Sequence, residues 1–332
     1  MRIALFGGSF DPIHEGHLQS ALHVLKQGIV QEVWFVPTQQ SPLKGQSSAS
    51  FDDRVALIKA MIKPYRKLKV CTIEKTLEIP SVTIHTVKAL LKKYPYHEFL
   101  WLMGEDQFEQ FDQWYKHDEL KKLIDFIGLT RTQSKSYDWA KYWIEFKHPA
   151  SSSAIRDNHQ LKYLPKRVLK TMILRRCYLD VILTSWMSKK RFEHTLRVNK
   201  TGQALALSHH LDVEKVHLAT LLHDVAKGMS EKEMDIWISR SRYRNIVIED
   251  YAKHGFVATM LAKHLFGIYD KKIHQAINHH TTGNSISALS RCVYVADKVE
   301  PKRPAWCVQL TTLAHQDLRA SQERLMKGFN ND

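Results

Sequence analysis

The sequence predicts an α/β domain built on a parallel sheet, followed by an all-α domain. Three observations carry that expectation. Short β-branched or aromatic runs alternate with amphipathic stretches through the first half of the 332 residues, the strand signal stops near residue 179, and apolar residues then recur at helical spacing. At roughly 150 residues per domain, and with 44% apolar residues, the chain can fill two cores, residues 1–178 and 179–332.

In the first half, Ile3 to Phe6, Val33 to Val36, Leu68 to Ile73, Phe99 to Met103 and Phe126 to Leu129 read as buried strands, with helical patterns after the first four. Such βαβα order implies a parallel sheet covered by helices on both faces. In the second half, Val216, Ala219, Thr220 and His223 repeat at the helical period, as do Val257, Met260, Leu261 and His264. Between the halves, residues 162–191 carry nine basic side chains against a lone acid, Asp180, and read as a solvated junction. Neither a Pro/Gly/Ser-rich linker nor an internal repeat is visible.

Composition limits the function classes. The 49 basic and 34 acidic residues give +15, divided as +9 for residues 1–178 and +6 for 179–332, so both halves should attract anions such as nucleotides. Four cysteines without a CxxC pair make neither a disulfide framework nor a thiolate metal site, which suits a reducing cytoplasm. No apolar run approaches the roughly 18 residues needed to span a bilayer, so no membrane partner is expected. The interleaved aromatic and basic surface of a nucleic-acid module is missing too, and no stable nucleic-acid partner is expected. The oligomeric state is not legible.

After the first strand comes GGSFDPIHEGH, residues 7–17. Gly7 and Gly8 let the backbone approach an anion, and His14 and His17 stand three apart at the start of a helix, where both can face one phosphate. Glycine turns end many strands and histidine pairs are common, but the whole string in a first strand-to-helix turn resembles the HxGH nucleotidyltransferases. Its GGSFDP form is similar to nicotinate mononucleotide adenylyltransferases. SSSAIR at 151–156, MGEDQFEQFDQW at 103–114 and Lys44 in VPTQQSPLK match further segments of that family.

The resemblance implies a Rossmann-like domain that transfers AMP from ATP to nicotinate mononucleotide with Mg²⁺. It makes His14, His17, Lys44 and Arg156 the catalytic groups. Gly7, Gly8, Ser9, Phe10, Gly104, Asp106, Ser151, Ser152 and Ile155 would lie by the nucleotide, and Thr83, Thr86 and Trp114 on the nicotinate side. The sequence departs from the family at Leu43, where a histidine is usual, and at His85.

The second half holds 11 of the 19 histidines. A His-Asp dipeptide arises about once by composition alone, as at His117 and Asp118. What distinguishes His223 and Asp224 is the accompanying set: His194, His254, His280 and Asp297, each in or beside a helical stretch. Burying four imidazoles and two carboxylates without a cation leaves costly unpaired groups, so the set points to metal. Six ligands are too many for one open catalytic ion, and two metals sharing Asp224 fit better; N/O ligands favour iron, manganese, zinc or magnesium. His264, His274 and His279 read as core or surface residues.

LLHDVAK, HHTTG and ADKVEPKR are similar to segments of HD-domain hydrolases that split diadenosine tetraphosphate into two ADP. This implies an HD-domain helical bundle with His194, His223, Asp224 and Asp297 on one metal and His254 and His280 completing the second site. The family's metal is usually iron, with Mn²⁺ as the alternative, and Lys227 and Arg303 become candidates for gripping polyphosphate. Lys227 and Gly228 stand where a guanosine tetraphosphate hydrolase would carry an acidic pair. The competing expectation is that one domain is decayed and serves as a nucleotide-binding regulator, or that the HD half acts on another nucleotide phosphate.

Overall fold

A computed structural model describes residues 1–41, 47–130 and 137–329. The chain divides into two compact units, Met1–Tyr178 and Leu179–Asp332.

The first unit is built from β1 (Arg2–Gly8), α1 (Glu15–Lys26), β2 (Glu32–Pro37), α2 (Phe51–Ile62), β3 (Leu68–Val70), α3 (Thr83–Lys93), β4 (Glu98–Gly104), α4 (Glu105–Glu109), α5 (His117–Leu123), β5 (Asp125–Thr130), β6 (Tyr142–Glu145), α6 (Ser152–Asn158) and α7 (Lys166–Leu174). Among the described residues its six strands are all parallel, in the order β3-β2-β1-β4-β5-β6. The central strand β1 is covered on both faces, and Ile3, Ala4 and Leu5 are fully buried there. After β3 the chain crosses back to place β4 beside β1, so consecutive connections leave these two strands in opposite directions. That divergence opens a crevice beyond their carboxyl ends, where α/β sheets bind ligands.

Two elements differ from the sequence expectation. Strand β3 stops at Val70; the Cys71 N–H still donates to the Phe35 carbonyl at 2.8 Å, but Ile73 opens a 3₁₀ turn to Thr76. An edge strand with one paired side holds fewer residues in the ladder than a central one. At the other edge, β6 spans four residues, too few to show a period of two, and only Ile144 is buried.

The second unit is helical among its described residues: α8 (Leu179–Thr184), α9 (Lys189–Ser208), α10 (Val213–Leu222), α11 (Glu231–Ser239), α12 (Asp250–His264), α13 (Lys271–His279), α14 (Ala288–Val299), α15 (Ala305–Val308), α16 (Thr311–Gln316) and α17 (Leu318–Phe329). Asp212 starts α10 by accepting from the Lys215 N–H at 3.1 Å, and Asp270 starts α13 by accepting from Lys272 and Ile273. Helix α9 packs on α10 and α14, and α13 on α12 and α14. Gly202 permits the first of these contacts, since a Cβ there would meet Thr220 Cγ2 at 2.9 Å. No described helix is long and apolar enough to cross a membrane.

Candidate active sites

In the first unit, a cavity of about 990 Å³ opens at the ends of β1 and β4. Gly7, Gly8, Ser9, Phe10, His14, His17, Thr83, Gly104, Asp106, Trp114, Ser151, Ser152 and Arg156 all border it. Lys44 lies outside the described residues. Two expected residues sit elsewhere. Thr86 is fully buried, its hydroxyl donating to Glu74 at 2.7 Å, and Ile155 is 1% exposed in the core below α6.

The paired histidines form one unit. Their rings stack with centroids 3.8 Å apart, and His17 Nδ1 accepts from the His14 N–H at 3.3 Å, which fixes both at the first turn of α1. Burial, reinforced by the nearby His148, lowers the His14 pKa to about 3, so its imidazole is neutral at neutral pH and acts as a hydrogen-bonding group. Its buried Nδ1 has no hydrogen-bond partner among the described residues. Arg156 is held on the Asp11 backbone carbonyl and lies 3.7 Å from the Asp11 carboxylate. Ser151 caps α6 by accepting from the Ala154 N–H at 3.1 Å, while the Ser152 hydroxyl donates to the Pro12 carbonyl at 2.9 Å.

Sequence reasoning missed the supports of this loop. Arg54, 1% exposed, donates to the Ser9, Gln39 and Ala49 carbonyls at 2.6, 3.2 and 3.3 Å. Its signal was a charge among the apolar residues Val55, Leu57 and Ile58 of α2. Asp11 accepts from the Ser48 N–H at 2.9 Å and from the Tyr178 hydroxyl. His148, which also borders the cavity, had no motif to mark it.

In the second unit, His194 on α9, His223 and Asp224 after α10, His254 on α12, His280 after α13 and Asp297 on α14 are all buried and converge. Two triads, His194–His223–Asp224 and Asp224–His254–His280, each bring one ligand atom per residue within 4.8 Å of the others. Asp224 Oδ1 lies 3.2 Å from His254 Nε2 and 3.4 Å from His280 Nε2, and its Oδ2 lies 3.7 Å from His223 Nε2. Asp297 joins the first triad, with Oδ1 3.0 Å from His194 Nε2.

The donor set fits divalent metal. His223 and His280 donate from Nδ1 to the Thr220 and Ile277 carbonyls, each at 2.6 Å, which leaves the Nε2 lone pairs facing inward. The buried His223 Nε2 finds no partner among the described residues. Burial lowers the His223 pKa to about 4, so this nitrogen is free of its proton at neutral pH. Burial alone would raise the Asp224 pKa, but the surrounding imidazoles of His223, His254 and His280 hold it well below the usual carboxylate range.

Around these ligands lies a ring of cations and one acid. Lys227 Nζ is 3.4 Å from His254 Nε2, and Arg303 pairs with Asp297. The sequence reading missed three participants. Arg191 donates to Asp224 at 2.8 Å, Lys298 to Asp297 at 2.7 Å, and Glu300 sits 3.1 Å from His194 Nδ1, orienting the ring. Lys298 and Glu300 stand inside ADKVEPKR, and Arg191 lies one turn before His194, a spacing that would have signalled it. His274 donates from Nε2 to the Ile268 carbonyl at 2.8 Å, away from this cluster, and His264 is exposed.

Residues 5–158 match the cytidylyltransferase-like family and residues 191–302 the HD domain. A Mycoplasma genitalium protein named "Probable nicotinate-nucleotide adenylyltransferase/Ap4A hydrolase" is 32% identical over 91% of this chain and 88% of its own length. The chain belongs to this two-domain family. A second relative of the same name, from Mycoplasma pneumoniae, is 25% identical over 97% of each chain. The solved structure of an HD superfamily hydrolase from Clostridium acetobutylicum is 30% identical, covering 46% of this chain and 82% of that one, with a TM-score of 0.41. Family membership pairs a nucleotidyltransferase half with a divalent-metal HD half, and the two donor triads stand within the HD match.

Proposed function

We propose that the first unit transfers AMP from ATP to nicotinate mononucleotide, releasing pyrophosphate, and that the second splits diadenosine tetraphosphate and water into two ADP. The single observation that supports the first half most is the meeting of His14, His17 and Arg156 in one cavity at the ends of β1 and β4. For the second half it is Asp224 shared by two buried triads.

The acceptor's phosphate is already a nucleophile, so adenylyl transfer needs alignment and charge stabilisation rather than a general base. An acceptor oxygen bonds the α-phosphorus while the bond to the β-phosphate oxygen breaks. Neutral His14 and its stacked partner His17 donate hydrogen bonds to the α-phosphate, and Arg156 exchanges Asp11 for the triphosphate. Mg²⁺ accompanying ATP would shield the charge of the departing pyrophosphate. Gly104 and Asp106 flank the nucleotide, and Thr83 and Trp114 face the nicotinate.

In the second unit, two divalent ions, iron by family preference with manganese as substitute, would supply Lewis acidity and water of lowered pKa when bound. His194, His223, Asp224 and Asp297 would hold one, and Asp224, His254 and His280 the other. Lys227 and Arg303, joined by Arg191 and Lys298, take up phosphate charge.

Pure protein incubated with ATP and nicotinate mononucleotide should yield the dinucleotide and pyrophosphate. With diadenosine tetraphosphate and Fe²⁺ or Mn²⁺ it should yield ADP alone. Products of AMP plus ATP would refute the symmetric cleavage. His17→Ala should cut the first reaction by about 10²- to 10³-fold and spare the second; unchanged transfer would sink the assignment.

A further inference from the structure

His148 borders the same cavity as His14, His17 and Arg156, although no motif marks it. Gly16 leaves room for its ring beside that of His14. A Cβ on Gly16 would stand 2.9 Å from His14 Nδ1 and 3.2 Å from His148 Nδ1, so the two imidazoles flank one bare backbone position. The His148 ring is held by its neighbours, edge-on to Tyr163 with centroids 5.6 Å apart and parallel to Phe146 within 10°. Its Nδ1 accepts from the Ala150 N–H at 3.1 Å. A nitrogen that accepts carries no proton, so in the neutral ring the proton sits on Nε2, which is left as the donor. His148 is also only half-buried, so packing alone does not require an imidazole there.

We propose that His148 is a third catalytic imidazole of the adenylyl-transfer site, donating a hydrogen bond from Nε2 to the phosphate oxygens that gain charge in the transition state. This rests on the adenylyltransferase reading of the first unit. The reaction's balance is unaltered: the α-phosphorus exchanges its bridging oxygen for an acceptor oxygen, pyrophosphate leaves with the bonding pair, and His148 transfers no proton. Three imidazoles and Arg156 then surround a phosphorus that a small anion site would leave to fewer donors. A group whose one nitrogen is spent on the Ala150 loop and whose other is left as donor serves both shape and chemistry, and the two roles can be separated by substitution.

Asparagine reproduces the reach of Nδ1, and glutamine that of Nε2. His148→Asn therefore keeps the bond to Ala150 and loses the distal donor, whereas His148→Gln keeps a distal amide N–H. Steady-state kinetics with ATP and nicotinate mononucleotide should show kcat about 10²-fold lower for His148→Asn, with KM for both substrates little changed. His148→Gln should recover most of that loss. The reverse order, with asparagine near wild type and glutamine impaired, would mean that the ring acts through the loop and would overturn the proposal, as would two variants of wild-type turnover. If both fall, a loss confined to kcat at unchanged melting temperature supports the donor role, and a raised KM for ATP or a lowered melting temperature refutes it. A wild-type protein that makes no dinucleotide would fail before any variant is compared, so failure of the parent reading is distinguishable.

Discussion

Replacing Gly16 by alanine separates stability from catalysis in the first unit. Gly16 lies in the first turn of α1, where alanine is the better helix former by up to about 1 kcal/mol. Against this, the new Cβ would stand 2.9 Å from both Cε1 and Nδ1 of His14, where ordinary contact begins near 3.4 Å. The ring must therefore retreat by about 0.5 Å. It cannot do so freely, because the His17 ring is stacked 3.8 Å away and His14 is 5% exposed. Overpacking of this kind costs about 1–3 kcal/mol, so after the helical gain the net loss should be near 1 kcal/mol, a fall of about 2–4 °C in melting temperature. Catalysis should suffer more. A misplacement of about 1 Å can cost 10²-fold, and half that shift in one of the stacked imidazoles should lower kcat by about 10- to 100-fold. Calorimetry and steady-state adenylyl transfer on the same sample test both parts. Wild-type kcat in Gly16→Ala, or an activity loss that merely tracks unfolding, would refute the argument that this glycine exists to seat His14.

Asp224→Asn should strip both metals from the second unit, because Asp224 belongs to both triads, while His280→Ala should cost one; metal analysis of the purified variants reads the difference without any activity assay. The depressed His14 pKa, about 3 against 6.5 for a free imidazole, means that the unfolded chain binds the extra proton between those values. Stability from this group is complete above pH 6.5 and drains as pH falls toward 3. Between pH 7 and 4.5 wild type should lose about 2–3 kcal/mol more than His14→Asn in urea titrations. Equal slopes would contradict the burial of a neutral ring. Arg54→Met should destabilise the first unit by about 3 kcal/mol, since three carbonyls lose a charged donor; a urea midpoint within error of wild type would show that water replaces it without cost.

Much of the architecture was legible because its signals are local. The buried runs of β1, β2, β4 and β5 are written in consecutive residues, and the helices of the second unit in their apolar period. The histidines of HEGH and the His-Asp pair stood out because their chemistry recurs at short fixed spacings. Residues that support these groups did not. Arg54 reads as a surface charge until α2 is seen to turn it beneath the Ser9 loop, and Thr86 reads as a site residue until Glu74 claims its hydroxyl. The four-residue β6 is visible only once β5 supplies its ladder.

The sequence by itself determined which residues could do phosphate and metal chemistry, and that they fall into two sets divided near residue 178. Tertiary structure alone decided who meets whom. The order β3-β2-β1-β4-β5-β6 sets the end of β1 beside β4 and brings Arg156 back to Asp11, and the packing of α9 against α14 carries Glu300 to His194. These pairings join residues 96 or more positions apart, and neither spacing nor periodicity constrains them. They follow from which buried faces fit together, a property of the whole core rather than of any segment.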